Sequence, residues 1–231
     1  MAQLFFITGT DTDVGKTVAS AQLIRGFCNA GYKTVGMKPA ASGCERSGDI
    51  LINMDVEAHR SASNIDAPLA LINPYRFEPA ISPHLAAKDA GVTIDLTHLI
   101  NCAEQLSRMA DIVIIEGAGG WYAPLSEDLA IADLASALNA PVIVVVGMRL
   151  GCLNHALLTI EAIQLRGLVV AGWIANLIDP DFNRYAENLA YLKQRITAPL
   201  LAEFTYDNEA LTAAINPEAI ARLCPALSAC D

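Results

Sequence analysis

Residues 9–17 read GTDTDVGKT and are the most informative stretch of this chain for its fold. They lie between the apolar run Leu4–Ile7, which predicts a strand, and Val18–Ile24, which predicts the first turns of a helix. A glycine-rich turn in this position aims backbone N–H groups and the positive end of the helix dipole at one point. The segment is therefore predicted to be a phosphate-binding loop.

The loop is one residue longer than the usual pattern G-x-x-x-x-G-K-[ST], because five residues separate Gly9 from Gly15. We expect Lys16 to place positive charge beside the β- and γ-phosphates of a nucleotide, and the Thr17 hydroxyl to bind Mg²⁺. The alternative is a tight strand-to-helix turn that contains Gly-Lys-Thr by chance. The flanking strand and helix favour the phosphate loop.

Composition limits the classes of protein to consider. The chain has 231 residues, of which 53% are hydrophobic, and its formal net charge is -10. This is enough apolar material for one large core, so we expect a single α/β domain over residues 1–231. An excess of acidic side chains argues against binding to a nucleic-acid backbone, which depends on Lys and Arg.

The cysteines and the N-terminus indicate the compartment. No Cys-x-x-Cys pair and no His at metal-ligand spacing accompany the cysteines, so we expect reduced thiols rather than disulfides. The N-terminus lacks the basic region and the longer apolar segment of a signal peptide, and no run approaches the roughly 20 apolar residues of a membrane span. We expect a cytoplasmic protein that does not bind a membrane. The six cysteines are Cys28, Cys44, Cys102, Cys152, Cys224 and Cys230.

Apolar runs alternate with helical periodicity along the chain, which is typical of β-α-β units around a buried parallel sheet. Few charges in the strands predict helices on both faces.

The expected fold class is α/β: a doubly wound, mainly parallel, P-loop NTPase-like sheet. The predicted strands are Leu4–Ile7, Thr34–Met37, Ile112–Ile115, Val142–Val146, Val169–Ala175 and Leu200–Ala202. The predicted helices are Thr17–Ala30, Leu96–Met109, Asn154–Arg166 and Arg184–Ile196. Residues 67–91 contain four prolines but too many apolar side chains for a linker, and are expected to form an ordered excursion.

Ligands of doubly wound sheets bind at the carboxyl ends of the strands, where two further charged residues lie. Lys38 follows the second predicted strand, so we expect it beside Lys16, where two lysines would stabilise a phosphoryl-transfer transition state. Glu116 ends the third strand before a glycine-rich turn, and is expected to bind Mg²⁺ directly or through water. A solvated surface residue is the alternative for each.

Other candidates are less specific. Asp55, on a probable helix that includes residues 48–55, could supply a second carboxylate, although Asp49 and Glu57 are equally acidic neighbours. Asn176 ends a strand, where its amide can pair with adenine. Asn154 is interpreted as the N-cap of the helix that it begins. The thiol of Cys152 is interpreted as structural, and His59, His84 and His98 show no metal-ligand spacing.

Six motifs together closely resemble the dethiobiotin synthetase family, from about residue 2 to about residue 205. They are Gly9–Thr17, Lys38–Gly43, Asn73–Tyr75, Ser82–His84, Glu116–Trp121 and Leu150–Ala156. The resemblance implies a homodimer that uses ATP and Mg²⁺ to convert 7,8-diaminopelargonic acid and CO₂ into a cyclic urea, through a carbamate that ATP phosphorylates.

The resemblance also implies roles for individual residues. Thr12, Lys16 and Lys38 would be catalytic, and Thr17, Asp55 and Glu116 would surround the metal. Ser42, Gly151, Cys152 and Asn154 would bind the substrate, the last three across the dimer interface. The nucleotide would lie against Asp13, Val14, Gly15, Lys16, Thr17, Val18, Asp55, Glu116, Gly117, Ala118, Gly119, Asn176, Leu177, Thr205, Tyr206 and Asp207.

Two departures from the family pattern fall on nucleotide-binding positions. Asp13 stands where Glu is common, and Thr205 stands where Pro is usual. A switch ATPase of the partition type shares this loop and sheet, but often carries a second lysine within the loop, whereas here it follows the next strand. An amidotransferase-linked synthase would need a glutaminase domain, for which 231 residues leave no room.

Overall fold

The computed structural model describes residues 2–206 and 215–224. The elements in chain order are β1 (Gln3–Gly9), α1 (Lys16–Asn29), β2 (Thr34–Met37), β3 (Ala40–Ala41), β4 (Glu45–Ser47), β5 (Ile50–Ile52), α2 (Met54–Ala62), α3 (Leu69–Ile72), β6 (Tyr75–Arg76), α4 (Pro83–Asp89), α5 (Leu96–Ser107), β7 (Ile112–Gly120), α6 (Ile131–Ala137), β8 (Val142–Met148), α7 (Cys152–Leu165), β9 (Val170–Leu177), α8 (Tyr185–Arg195), β10 (Leu200–Phe204) and α9 (Pro217–Leu223).

The central sheet contains six strands in the order β10-β9-β8-β1-β7-β2, and every neighbouring pair is parallel. These are the six strands that the apolar runs predict. β7 differs from the prediction because it continues through Glu116 to Gly120, where a turn was expected. The reason is that β1 also extends to Gly9, which pairs with Gly120.

Strand side chains alternate between two apolar layers. Phe5 and Ile7 pack with α1 on one face, whereas Phe6 packs with α5, α6 and α7 on the other. Buried residues on both faces make each strand apolar along its whole length. The doubly wound fold is confirmed by these two layers.

The connections of β1 and β8 lie on opposite faces of the sheet. β1 leads into α1 and β8 leads into α7, and the two helices pack in different apolar layers. Because β1 and β8 are neighbours, a crevice opens where their connections diverge, at the carboxyl ends of the strands. Residues 9–17 lie at this point.

Two small sheets lie beyond β2. The antiparallel hairpin of β4 and β5 occupies residues 45–52, and α2 begins at Met54. The helix expected over residues 48–55 is therefore wrong for residues 48–52, because Gly48 turns the hairpin with a φ of 62°. Residues 67–91 contain α3, β6 and α4, and β6 pairs with β3.

Cys28, Cys44, Cys102 and Cys152 are free thiols, whereas Cys230 lies outside the described residues. Of the described helices, none is both long and apolar enough to cross a membrane.

Candidate active site

A cleft of about 370 Å³ opens at the carboxyl ends of β1, β2 and β7. Its wall is formed by the phosphate loop, the segment that follows β2 and the end of β7. Most of the predicted catalytic, metal and phosphate residues lie on its wall. The lining residues are Thr12, Asp13, Gly15, Lys16, Thr17, Lys38, Ala40, Ala41, Ser42, Asp55, Glu116, Ala118 and Gly119.

The phosphate loop ends at Gly15, which precedes the first residue of α1 in a left-handed conformation with φ 85°. A Cβ at this position would lie 2.1 Å from Nδ2 of Asn176. That amide donates a hydrogen bond to the carbonyl of Val14 at 2.9 Å. Glycine is therefore needed at position 15 both for its backbone conformation and for the approach of β9.

Hydrogen bonds hold the long phosphate loop against the end of β8 and the residue that follows it. The Asp11 carboxylate accepts hydrogen bonds from the Thr12 N–H at 2.8 Å and from Arg149 at 2.5 Å. The Thr10 hydroxyl accepts a bond from the Gly147 N–H at 3.2 Å. Sequence reasoning missed Arg149, since only the tertiary structure brings it to the loop.

Lys16 reaches back over the loop, and its Nζ donates to the carbonyl of Asp11 at 2.9 Å. The side chain is almost completely buried. Burial, helped by the positive charge of Lys38, lowers the pKa of Lys16 to about 8. A buried cation beside a second cation favours an anionic ligand, because an anion would stabilise both charges.

Lys38 and Glu116 form the centre of a buried polar network. Lys38 Nζ lies 2.5 Å from Glu116 Oε1 and 2.9 Å from Asp55 Oδ2. The Thr17 hydroxyl donates to the same Glu116 oxygen at 3.0 Å. Two of the three predicted metal residues, Asp55 and Glu116, thus contact Lys38, and the third, Thr17, contacts Glu116.

Charge pairing sets the ionisation of this network. Burial by itself would raise the pKa of Glu116, but the Lys38 cation and the contact with His59 hold that pKa far below its usual range. Burial would lower the pKa of Lys38, but Glu116 and Asp55 offset this effect and raise it. Lys38 is therefore a fixed cation and Glu116 a fixed anion at neutral pH.

His59 belongs to the same network, although sequence reasoning gave it no role. Its Nε2 lies 2.7 Å from Glu116 Oε2, and both side chains are completely inaccessible. Asp55 and His59 are four residues apart on α2, which places them on one face of the helix. The four-residue spacing between His59 and Asp55, a candidate metal ligand, is the feature of the sequence that could have indicated a role for His59.

Two buried asparagines hold the segments that carry Lys38 and Asp55. Asn73 donates to the carbonyl of Lys38 at 2.6 Å. Asn53 caps α2 by accepting from the Asp55 N–H at 3.0 Å, and it also donates to the carbonyl of Ser42 at 3.3 Å. These bonds fix the mouth of the cleft from the side opposite the phosphate loop.

Several predicted positions lie away from this cleft wall. Val14 and Gly117 are buried behind it, and Val18 follows Thr17 within α1. Leu177 ends β9 beside Asn176, while Thr205 and Tyr206 are exposed after β10. Asp207 lies outside the described residues.

The predicted substrate loop lies at the start of α7. This helix begins at Cys152 with Gly151 as its N-cap, at φ 95°, so the interpretation of Asn154 as the N-cap is wrong. A left-handed glycine caps the helix three residues before Asn154. Gly151 and Asn154 are exposed, whereas Cys152 is buried.

The residues around Lys38 fit a hard cation such as Mg²⁺, since they present one hydroxyl and two carboxylates beside a predicted phosphate site. Within residues 2–206 and 215–224, no group of three or more His, Cys, Asp or Glu side chains could hold a metal ion by themselves. An ion bound here would depend on nucleotide phosphates and water for its remaining ligands.

Known proteins resemble the chain over most of its length. A family model described as an AAA domain matches residues 3–213. The ATP-dependent dethiobiotin synthetase of Xanthomonas oryzae pv. oryzae (strain PXO99A) is 46% identical over 210 residues, which are 91% of this chain and 94% of that protein. The Salmonella typhi enzyme of that name is 47% identical over 89% of this chain and 90% of its own length.

The solved structures that resemble the chain are more distant in sequence. The MinC:MinD cell division complex of Aquifex aeolicus aligns with a TM-score of 0.58 at 15% identity, covering 98% of this chain and 96% of that one. MinD of Pyrococcus horikoshii, complexed with Mg-ADP, aligns with a TM-score of 0.57 at 16% identity, covering 99% of this chain and 97% of that one. These likenesses show the P-loop NTPase fold alone, whereas the sequence relatives show that the chain belongs to the dethiobiotin synthetase family.

Proposed function

We propose that this protein is an ATP-dependent ligase that joins 7,8-diaminopelargonic acid and CO₂ into the cyclic urea of dethiobiotin. The proposal is carried by Lys38, a buried cation that shares one cleft with the phosphate loop. A second lysine in this position suits a reaction in which negative charge develops away from the nucleotide. Membership of the dethiobiotin synthetase family supports this choice of substrate.

In the proposed reaction one substrate amine attacks CO₂ and loses a proton, which gives a carbamate. A carbamate oxygen then attacks the γ-phosphorus of ATP, the bond from that phosphorus to the bridging oxygen of ADP breaks, and ADP leaves as a mixed carbamic–phosphoric anhydride forms. The second amine finally attacks the carbamate carbon and loses a proton, and inorganic phosphate leaves as the ring closes. Each step is aided by holding the reacting groups in place and by stabilising their negative charge.

The cleft residues divide these tasks. Lys38 and Lys16 would stabilise the carbamate and the migrating phosphoryl group, together with the Thr12 hydroxyl. Because Glu116 and Asp55 keep Lys38 charged, we assign it electrostatic stabilisation rather than proton abstraction.

Mg²⁺ would be bound near Thr17, Asp55 and Glu116, where it would neutralise phosphate charge during transfer. The adenine would lie near Asn176 and Leu177, toward the segment that follows β10. One N–H of the Asn176 amide is used by Val14. Its oxygen and its other N–H would remain for the base.

The diamine end of the substrate would lie near Ser42, and its tail near the start of α7. We propose that Gly151, Cys152 and Asn154 hold this tail across a homodimer interface. Because the Cys152 side chain is buried, its contact with the substrate would be made by the backbone.

The partition-type switch ATPase is supported by the fold alone, since the MinD structures are 15–16% identical to this chain. The second lysine also lies after β2 rather than within residues 9–17. We therefore propose no second function.

The test is incorporation of labelled bicarbonate into product by the purified protein with Mg²⁺, ATP and the diamine. We expect mass spectrometry to show a cyclic urea that carries the label, with one phosphate released for each ring. Reactions without the diamine are the control and should release little phosphate. Unchanged diamine under conditions where ATP binds would reject the proposal.

A further inference from the structure

We propose that His59 is a positioning residue that holds the Glu116 carboxylate with Oε2 turned away from the reacting groups and Oε1 toward Lys38 and Thr17. The inference rests on the proposed function in one respect, the role of Glu116 beside Mg²⁺ and nucleotide. His59 Nε2 lies 2.7 Å from Oε2, while Lys38 and Thr17 contact Oε1 at 2.5 and 3.0 Å. The two oxygens therefore have different partners.

The direction of the His59 hydrogen bond follows from its partner. The Glu116 carboxylate is ionised beside Lys38 and can only accept hydrogen bonds. The proton therefore lies on Nε2 of His59, which donates it to Oε2. His59 Nδ1 has no hydrogen-bond partner among the described residues. The bond to Glu116 is thus the only hydrogen bond of this ring within that part of the chain.

The position of His59 depends on close packing of α2 against β2. A Cβ on Gly36 would lie 2.7 Å from the Cβ of His59 and 2.8 Å from Cδ1 of Ile24. Contacts below 3 Å force a neighbour to move, so an alanine at position 36 would push α2 outward. The Ser63 hydroxyl donates to the His59 carbonyl at 2.7 Å and accepts from the Gly36 N–H at 3.2 Å, which fastens the helix to the strand.

A carboxylate needs such a partner because its terminal torsion is soft. Without a donor at Oε2, the Glu116 carboxylate could turn between Lys38 and Thr17 and share both oxygens with them. With the donor, one oxygen is committed to His59 and the other to the cleft. Partners of this kind, which orient a ligand without touching the metal, typically affect metal affinity by about 10–100-fold.

The test compares His59→Leu, which removes the donor, with His59→Gln, which keeps an N–H on a side chain of similar reach. The first readout is the affinity of the protein·ADP complex for Mn²⁺, measured by electron paramagnetic resonance. We expect His59→Leu to weaken Mn²⁺ binding about tenfold and His59→Gln to recover most of it. With the full reaction, kcat should fall in the same order while KM for the diamine changes little.

Arg60→Leu is the matched control, because Arg60 lies next to His59 on α2 but is exposed and pairs with Glu57. It should leave Mn²⁺ affinity and turnover unchanged. Gly36→Ala provides a second route, since it displaces the imidazole without changing any polar group. We expect it to weaken Mn²⁺ binding, as His59→Leu does.

Equal losses in His59→Leu and His59→Gln, or lower thermal stability with unchanged Mn²⁺ affinity, would show that His59 only packs, and would overturn the inference. Unchanged Mn²⁺ affinity in folded Gly36→Ala would overturn it as well. Mn²⁺ binding does not depend on the diamine. A wild-type protein that makes no cyclic urea would therefore reject the proposed function alone.

Discussion

The phosphate loop and the network around Glu116 line one cleft and meet at Thr17, yet they are built differently. The loop is nine consecutive residues, and its shape depends on a left-handed glycine at position 15 and on backbone groups. The network joins α1, α2, β7 and the segment after β2, and Lys38 is 78 residues from Glu116. The loop should therefore be sensitive to backbone change, whereas the network should be sensitive to loss of a single charge.

The largest effect is expected for Lys38→Met. Loss of this cation should lower kcat by about 10²–10³-fold, as removal of one transition-state donor does in other enzymes. It also leaves Glu116 buried without its main counter-charge, which should lower the free energy of unfolding by about 3–5 kcal/mol. ATP affinity should change little, because the loop is intact. Steady-state kinetics, nucleotide binding and urea denaturation measure the three quantities.

Two further variants separate catalysis from stability. Lys88→Met removes a lysine from an exposed pair with Glu127 and should leave both nearly unchanged. The double variant Lys38→Met/Glu116→Gln removes the unpaired charge, so stability should recover while turnover does not. Equal losses of kcat and ATP affinity in Lys38→Met would contradict its assignment to the reaction.

The loop is tested by comparing Gly15→Ala with Gly31→Ala. Both glycines are left-handed, with φ of 85° and 90°, and each substitution should cost about 1–2 kcal/mol of backbone strain. Only at Gly15 would the new Cβ meet Asn176, since nothing lies within 4 Å of a Cβ on Gly31. Gly15→Ala should therefore cost about 1 kcal/mol more, through the lost bond from Asn176 to Val14, and should also weaken ATP binding.

Denaturation and nucleotide titration of the two variants provide the measurement. If both substitutions had the same effect on stability and neither altered ATP affinity, Asn176 would not constrain the loop.

The smallest effect concerns the proton on Lys16. Because its pKa is about 8 in the free protein, about half of the molecules lack this proton at pH 8. Nucleotide phosphates favour the charged form, so binding of ADP at pH 8 should take up at most about half a proton, and almost none at pH 6.5. Calorimetry in buffers of different ionisation enthalpy measures this uptake, which should be absent in Lys16→Met.

The same shift has a consequence for the stability of the free protein. The unfolded chain binds the Lys16 proton up to its usual pKa of 10.5, whereas the folded chain releases it above about 8. The contribution of Lys16 to stability is therefore complete above pH 10.5 and is lost as the pH falls through 8. Persistence of ADP-linked proton uptake in Lys16→Met would assign the proton to another group.

Much of the fold could be predicted because buried parallel strands are continuous apolar runs, and all six were found. The errors fall where glycine conformation or pairing between distant strands decided the local structure. Gly48 turns a hairpin where helix was expected, and Gly151 starts α7 ahead of Asn154. β7 is longer than its apolar run because Gly120 pairs with Gly9.

The candidate site divides in the same way. Lys16, Lys38 and Glu116 were found because each follows or ends a strand or belongs to a motif. His59 and Arg149 were missed, and Asn73 was noted only as part of a family motif, because each contacts a segment distant in sequence. Only the spacing of Asp55 and His59 on one helix carried a local signal.

The phosphate loop, the apolar strands and the charged residues at their carboxyl ends can be predicted from local sequence, because each depends on neighbours within a few residues. Packing of distant segments is what places Glu116 between Lys38 and His59 and buries Lys16 beside a second cation. Burial and the distance between charges set these ionisation states. Both arise when segments far apart in the chain pack together, so no local pattern records them.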